Sequence, residues 1–149
     1  MNIRMNHQAA NPAGFRALLK LEEAAKNMGL DPVIYELIKI RASQINGCAF
    51  CVDMHTSDLR KMGETEQRLN LIVVWQEAPL FTAKERAALA LTEAVTRIAE
   101  AGVPQQLYDE VREQFSESEF VALIITINAI NSWNRIAIAT GMFPGCFEV

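Results

Sequence analysis

Apolar positions recur along this chain at helical spacing, and capping residues punctuate them. Phe15, Leu18, Leu19, Leu21 and Ala25 form one stripe. Asn11-Pro12 opens it as an N-cap with proline at the first helical position, and Gly29 stops it. Asp31-Pro32 repeats the device, and Ile34, Leu37, Ile38 and Ile45 share the next face up to Asn46-Gly47, where left-handed backbone is tolerated. A third helix is expected from near Cys48 to Gly63, and a fourth from Thr65 through Leu69, Ile72 and Val73 towards Pro79. Thr82 with Glu85 and Ser116 with Glu119 read as capping boxes, for helices that reach Gly102 and Gly141. Pro104 opens a helix between them. No run alternates cleanly between turn signals, so no sheet is expected. The pattern predicts an all-α fold of about seven helices, in a single domain over residues 1–149.

The helix after Ser116 carries Val121, Leu123, Ile124, Ile125, Ile127 and Ile130 on more than one face, the mark of a buried central helix. Its longest apolar stretch, Phe120 to Ile127, is too short and too polar for a membrane span of ~20 residues. Asn128, Asn131 and Asn134 then recur every third residue. The ordinary reading is a polar stripe bonded to backbone or water; the sharper one is contact with a neighbouring subunit or the site.

Composition narrows the function. Half of the residues are hydrophobic, 21% are charged, and the net charge is -4. Disorder is excluded, and no basic stripe offers a nucleic-acid or anionic membrane surface. The high apolar share hints at a subunit interface. The first eight residues lack the apolar core of a leader, so the chain is expected in the cytoplasm. Three cysteines in a reducing compartment suggest redox catalysis or metal binding rather than a disulfide framework.

The informative segment runs from Glu36 to His55. Cys48-Ala49-Phe50-Cys51 follows a helix stop, which puts both thiols at the start of the next helix, where free N–H groups and the dipole favour a thiolate. His55, four residues after Cys51, shares its face. A free thiol is mostly protonated at neutral pH, and lowering its pKa by ~2 units takes about 2.7 kcal/mol. A helix terminus supplies roughly 0.3–2 kcal/mol of that, so His55 is expected to supply much of the rest at Cys51. Cys48, one turn earlier, is placed to attack an oxidised Cys51. Glu36, on the preceding helix, is a candidate proton acceptor, although a lone helical glutamate is usually a solvated charge.

The run of Glu36, Arg41, Ser43, Asn46, Cys48, Cys51 and His55 resembles the core of the alkylhydroperoxidase AhpD-like branch of the carboxymuconolactone decarboxylase family. The matching core covers roughly residues 30 to 100, and Asn131 to Arg135 with Pro144-Gly145 is similar to peroxidase-related members. The resemblance implies trimers or hexamers, and a thiol peroxidase without metal, haem or flavin. It implies attack on an organic hydroperoxide by Cys51, resolution by Cys48, and proton relay through Glu36 and His55. It further implies re-reduction by a dithiol, a dihydrolipoamide group on a partner protein in the best-known members. Those members carry a second histidine where this chain has Phe50, so the relay here must be shorter or run through water. Branches lacking the cysteine pair act on a lactone acid, which both cysteines argue against here.

Rival readings are a zinc site of Cys48, Cys51 and His55 completed by His7 or Cys146, a thioredoxin-like oxidoreductase, and a redox sensor or assembly protein with inert cysteines. The zinc reading lacks a second ligand pair, and the thioredoxin reading lacks a strand before Cys48. Arg41, on a mostly apolar face, is expected to need a carboxylate partner. Cys146 is expected to be a surface or packing thiol, Trp75 and Trp133 core or interface aromatics, His7 part of a mobile terminus, and Met54 and Met62 gap-fillers.

Overall fold

The computed structural model describes residues 2–147. Among them it has helices and no strand, as expected. The α-helices are α1 (His7–Ala10), α2 (Pro12–Lys26), α3 (Pro32–Asn46), α4 (Ala49–Lys61), α5 (Glu66–Leu71), α6 (Ala83–Thr96), α7 (Ile98–Ala101), α8 (Gln105–Gln114) and α9 (Glu117–Thr140).

Nine helices among the described residues replace the seven expected, and both additions are single turns. Asn6 builds α1 by accepting from the N–H groups of Gln8 and Ala9. The helix expected from Thr82 to Gly102 breaks at Arg97, whose backbone (φ −106°, ψ 35°) leaves the helical region and separates α7 from α6. The segment expected to run towards Pro79 ends earlier, tightening after α5 into a 3-10 turn at Ile72–Val74. Pro104 is the N-cap of α8 rather than its first residue.

The caps read from the sequence form. Asn11 Oδ1 accepts from Gly14 at 2.9 Å, and Asp31 Oδ1 from Val33 at 2.8 Å. Both capping boxes close reciprocally; Thr82 N donates to Glu85 Oε2 at 2.7 Å, and Ser116 N to Glu119 Oε2 at 2.8 Å. Each such cap is worth about 1 kcal/mol.

Helix α9 is the spine, packed against α2, α3, α4, α6 and α8. By length and composition it could cross a membrane, contrary to the expectation from its shorter apolar stretch. Its buried face is instead the core: Leu123 and Ile127 pack with Ile34, Ile38, Leu91 and Val111 of α3, α6 and α8. A second cluster joins Leu37, Ile40, Leu59, Ile72 and Leu89 beneath α4. A third, smaller one surrounds the cysteines: Ala42, Cys48, Cys51, Ile130 and Ala137, with Phe50 and Trp133 against it.

Candidate active site

The site lies where α3 hands the chain to α4. Gly47 takes φ 71°, a left-handed value that suits glycine. Gly47 N–H then bonds Gln44 O at 3.3 Å and Cys48 N–H bonds Ser43 O at 2.9 Å, the paired closure of a Schellman motif. Cys48 is thus pinned twice: it ends α3, and it is the N-cap of α4, where its Sγ accepts from Cys51 N–H at 3.4 Å.

Both thiols are free and buried. A hydrogen bond from Cys51 and the helix N–H at its sulfur outweigh burial at Cys48, and lower its pKa to about 7. The same hydrogen bond, together with burial and the neighbouring Cys48 charge, pushes Cys51 up. The first proton therefore leaves from the Cys48 side of a pair that titrates jointly, whereas the spacing argument placed the thiolate on Cys51. Helix N–H groups favour the N-cap sulfur over one inside the first turn.

His55 and Glu36 meet as anticipated, with Nδ1 2.8 Å from Oε2. His55 is buried and the Glu36 side chain is 13% exposed, so this glutamate is not the solvated charge of the ordinary reading. The contact occupies Nδ1 and leaves Nε2 for the cavity that His55 lines.

That cavity, 280 Å³, lies between α1, α2, α4 and α9, and Cys51, His55, Phe50, Phe15 and Trp133 form part of its wall. Lys39 also faces it and was not anticipated. It is fully buried, and donates to Glu22, which also accepts from Tyr35 and, at 3.1 Å, from Trp133 Nε1. Burial lowers the Lys39 pKa although Glu22 opposes it. Burial raises Glu22, but the Lys39 ammonium and its hydrogen bonds win and hold the carboxyl low. The Lys39 charge in turn favours ionised Cys51. The available signal was a lysine set between Ile38 and Ile40 in a helix apolar on several faces; its partner Glu22 has no sequence relation to it.

The asparagine stripe resolves position by position. Asn128 is exposed. Asn46 Nδ2 bonds Asn131 Oδ1 at 3.0 Å and Asn134 Oδ1 at 2.9 Å, and Asn134 Nδ2 bonds Ser43 Oγ at 2.9 Å. The Asn134 amide also lies beside both cysteine sulfurs and favours their ionised forms. For Asn131, which donates to Ile127 O at 2.9 Å, the ordinary reading of a polar residue bonded to backbone holds; for Asn134 the sharper one does, beside the candidate site.

Arg41 has the carboxylate it needs, Glu93 at 2.8 Å, which also accepts from Trp75. Cys146 is a buried packing thiol and Trp75 a core residue. Trp133 has a second role as cavity wall. His7 is not in a loose terminus; it sits half-buried in α1 with its ring 5.5 Å from Phe15. Met54 and Met62 fill no gap, being 41% and 46% exposed. Among the described residues, the donor trio within 4.8 Å of one another is Glu36, His55 and Asp58, and neither cysteine belongs to it. The zinc set of the rival reading is therefore not gathered.

The model of the carboxymuconolactone decarboxylase family matches residues 12–94. An uncharacterized protein, YdfG of Bacillus subtilis, is 48% identical over 141 residues, 95% of this chain and 96% of its own. The crystal structure of an Agrobacterium tumefaciens protein of unknown function, suggested to be an AhpD antioxidant defence protein, superposes with a TM-score of 0.93 at 45% identity, over 96% of this chain and 99% of that one. The alkyl hydroperoxide reductase AhpD of Solibacter usitatus is 38% identical over 66 residues, 43% of this chain and 37% of its own.

Proposed function

This chain belongs to the carboxymuconolactone decarboxylase family and is AhpD-like, and we propose that it is a thiol peroxidase that reduces organic hydroperoxides through a Cys48/Cys51 dithiol–disulfide cycle. The observation that carries the reading is that Cys51 and His55 share one cavity wall, with Glu36 bonded to His55 Nδ1 outside the lining and Cys48 Sγ accepting from Cys51 N–H behind.

The hydroperoxide enters the cavity, and Cys51 Sγ attacks its distal oxygen. The Cys51 proton passes along the S–H···S contact to Cys48, which acts as the base. The S–O bond forms, the O–O bond breaks, and protonated His55 gives its Nε2 proton to the departing alkoxide. Glu36 orients the ring through its contact at Nδ1. Cys48 then returns its proton to His55 and attacks the Cys51 sulfenic sulfur. The S–S bond closes, and hydroxide leaves with the His55 proton as water. Two electrons have moved from the dithiol to the peroxide, and a dithiol donor, such as a lipoylated protein, restores them. Phe50, where the resemblance implies a second histidine, contributes only apolar wall, so the relay is a single imidazole. Lys39 supplies fixed positive charge as Cys51 develops its own negative charge.

The rest of the reading is one AhpD-like domain over residues 1–149, working in the cytoplasm in antioxidant defence as a trimer or hexamer. It needs no metal or organic cofactor and no nucleic-acid or membrane partner. The exposed apolar side chains of α9, Val121 at 57% and Ile138 at 45%, support assembly.

Consumption of cumene hydroperoxide with dihydrolipoamide tests the activity, comparing wild type with Cys51→Ser. Turnover that disappears in the variant agrees; absence of turnover in the wild type overturns the reading. The low pKa of Cys48 favours one alternative, general disulfide exchange, which would show as reduction of a disulfide substrate without peroxide turnover.

A further inference from the structure

The two cysteines open to opposite sides of α4. Phe50, Cys51, Met54 and His55 line the 280 Å³ cavity. Ala49, Val52, Asp53, Thr56 and Arg60 line a different space, an open groove of 490 Å³ that the end of α3 completes with Ser43 and Gln44. At about 100° per residue these two sets fall on opposite faces of the helix. Cys48, at the N-cap, belongs to the groove, and Cys51 to the cavity. The two spaces differ in shape and lining: Phe15, Phe50, Trp133 and Phe147 give the cavity an aromatic wall, whereas the groove is open and has no aromatic side chain, with Gln44, Asp53, Thr56 and Arg60 among its lining.

We propose that α4 divides the catalytic cycle between its two faces: the hydroperoxide meets Cys51 in the aromatic-walled cavity, and a dithiol reductant reaches the Cys48 end of the disulfide from the open groove. The assignment of the cavity rests on the peroxidase reading; that of the groove requires only that the Cys48–Cys51 disulfide forms. One thiolate of the donor attacks Cys48 Sγ, the Cys48–Cys51 bond breaks, and Cys51 leaves as the thiolate. The second donor thiol, deprotonated, attacks the donor sulfur of the mixed disulfide. Cys48 leaves, and the donor departs as its cyclic disulfide. The two donor protons end on Cys51 and on Cys48 or solvent. Cys51 is an adequate leaving group in this direction. The push that raises it comes first from Cys48 itself, and that push is gone while Cys48 is held in the mixed disulfide; Lys39 and Asn134 remain to favour the thiolate.

A hydroperoxide and a dithiol therefore need not displace one another, and the half-reactions can be blocked separately. Ala49 is exposed and faces the groove, so Ala49→Trp adds bulk there without touching the core; Thr56→Trp does the same about two turns further along. Leu19, 44% exposed on α2, offers the matching change at the cavity, Leu19→Trp. Each protein is oxidised with diamide and mixed with dihydrolipoamide; separately, each reduced protein is mixed with cumene hydroperoxide. Free thiols are counted after acid quenching at successive times.

The groove variants are expected to slow reduction at least about tenfold while the peroxide step stays within about twofold, and Leu19→Trp to do the reverse. Reduction unaffected by both groove variants, or slowed more by Leu19→Trp than by them, overturns the proposal. Diamide installs the disulfide without peroxide, so the groove assignment is judged even if the wild type consumes no hydroperoxide. A second measurement fixes the atom attacked. With an activated lipoamide disulfide, Cys51→Ser is expected to be capped rapidly at Cys48, and Cys48→Ser at least about tenfold more slowly at Cys51. Equal or reversed rates overturn the proposal as well.

Discussion

Lys39 of α3 donates its buried ammonium to Glu22 of α2, and the pair closes the cavity floor beside Cys51. Among the described residues no other carboxylate is bonded to Lys39, so losing Glu22 strands a charge in the interior. Removing one partner of a buried pair costs about 3–5 kcal/mol. Glu22→Gln is expected near the lower end, because the amide still accepts a hydrogen bond. Lys39→Met leaves a carboxylate that is 26% exposed, and is expected to cost less than Glu22→Gln. Urea unfolding of the two variants checks the order, and Lys39→Met should also slow peroxide attack at Cys51.

The Glu36–His55 contact gives the site a proton carrier beside Cys51. General acid–base groups contribute about 10²–10⁴ in rate, so His55→Gln is expected to lose turnover within that range. Glu36→Gln keeps a hydrogen bond at Nδ1 but removes the carboxylate charge, and should lose about tenfold. Steady-state rates with cumene hydroperoxide decide this. A Glu36→Gln enzyme at full rate would leave Glu36 without a role.

The pH dependence follows from Cys48. Its pKa is lowered to about 7, so the thiolate is present above that pH and falls away as pH drops through it. Iodoacetamide labelling of Cys48 should therefore rise with a midpoint near pH 7. The first cause of the lowering is the Cys51 thiol, so Cys51→Ala should move the midpoint up towards an ordinary thiol. A midpoint unchanged by Cys51→Ala would mean that the helix N–H groups alone hold the thiolate.

Resolution by Cys48 has its own signature. Cys48→Ser should reduce at most one equivalent of peroxide and leave a sulfenic acid on Cys51, read by dimedone addition and mass spectrometry. A Cys48→Ser enzyme that cycles normally would remove Cys48 from the mechanism.

Much of this was legible because it is local. Caps, stops and the C-x-x-C-x-x-x-H run occupy neighbouring positions, and i to i+4 geometry brings Cys51 and His55 to one face. Glu36 could be suspected from its helix face. Lys39 could not be, since its partner is 17 residues earlier, on a helix whose docking only the whole fold decides. Asn134 stood out as a polar residue in an apolar helix, but its target, 88 residues away at Asn46, was invisible. Spacing weighs a histidine neighbour at Cys51 and does not see that the N-cap sulfur of Cys48 collects the helix N–H. Local rules pointed to the candidate groups; the buried Lys39 and Asn134 that surround them came only from long-range packing.

Asn134 also dates the site's assembly. A chain emerging from its N-terminus presents Cys48 and Cys51 long before α9 exists. Until α9 docks, Asn46 and Ser43 lack the partner that fixes the turn, and the two sulfurs lack the amide that favours their ionised forms. The main groups that acidify Cys48, the Cys51 thiol and N–H, are already present in the α3–α4 turn, and α9 adds the smaller contribution of Asn134. The larger gift of the last helix is Trp133 and Ala137, the wall without which the cavity beside Cys51 is not enclosed, which ties the pocket to the completion of the fold.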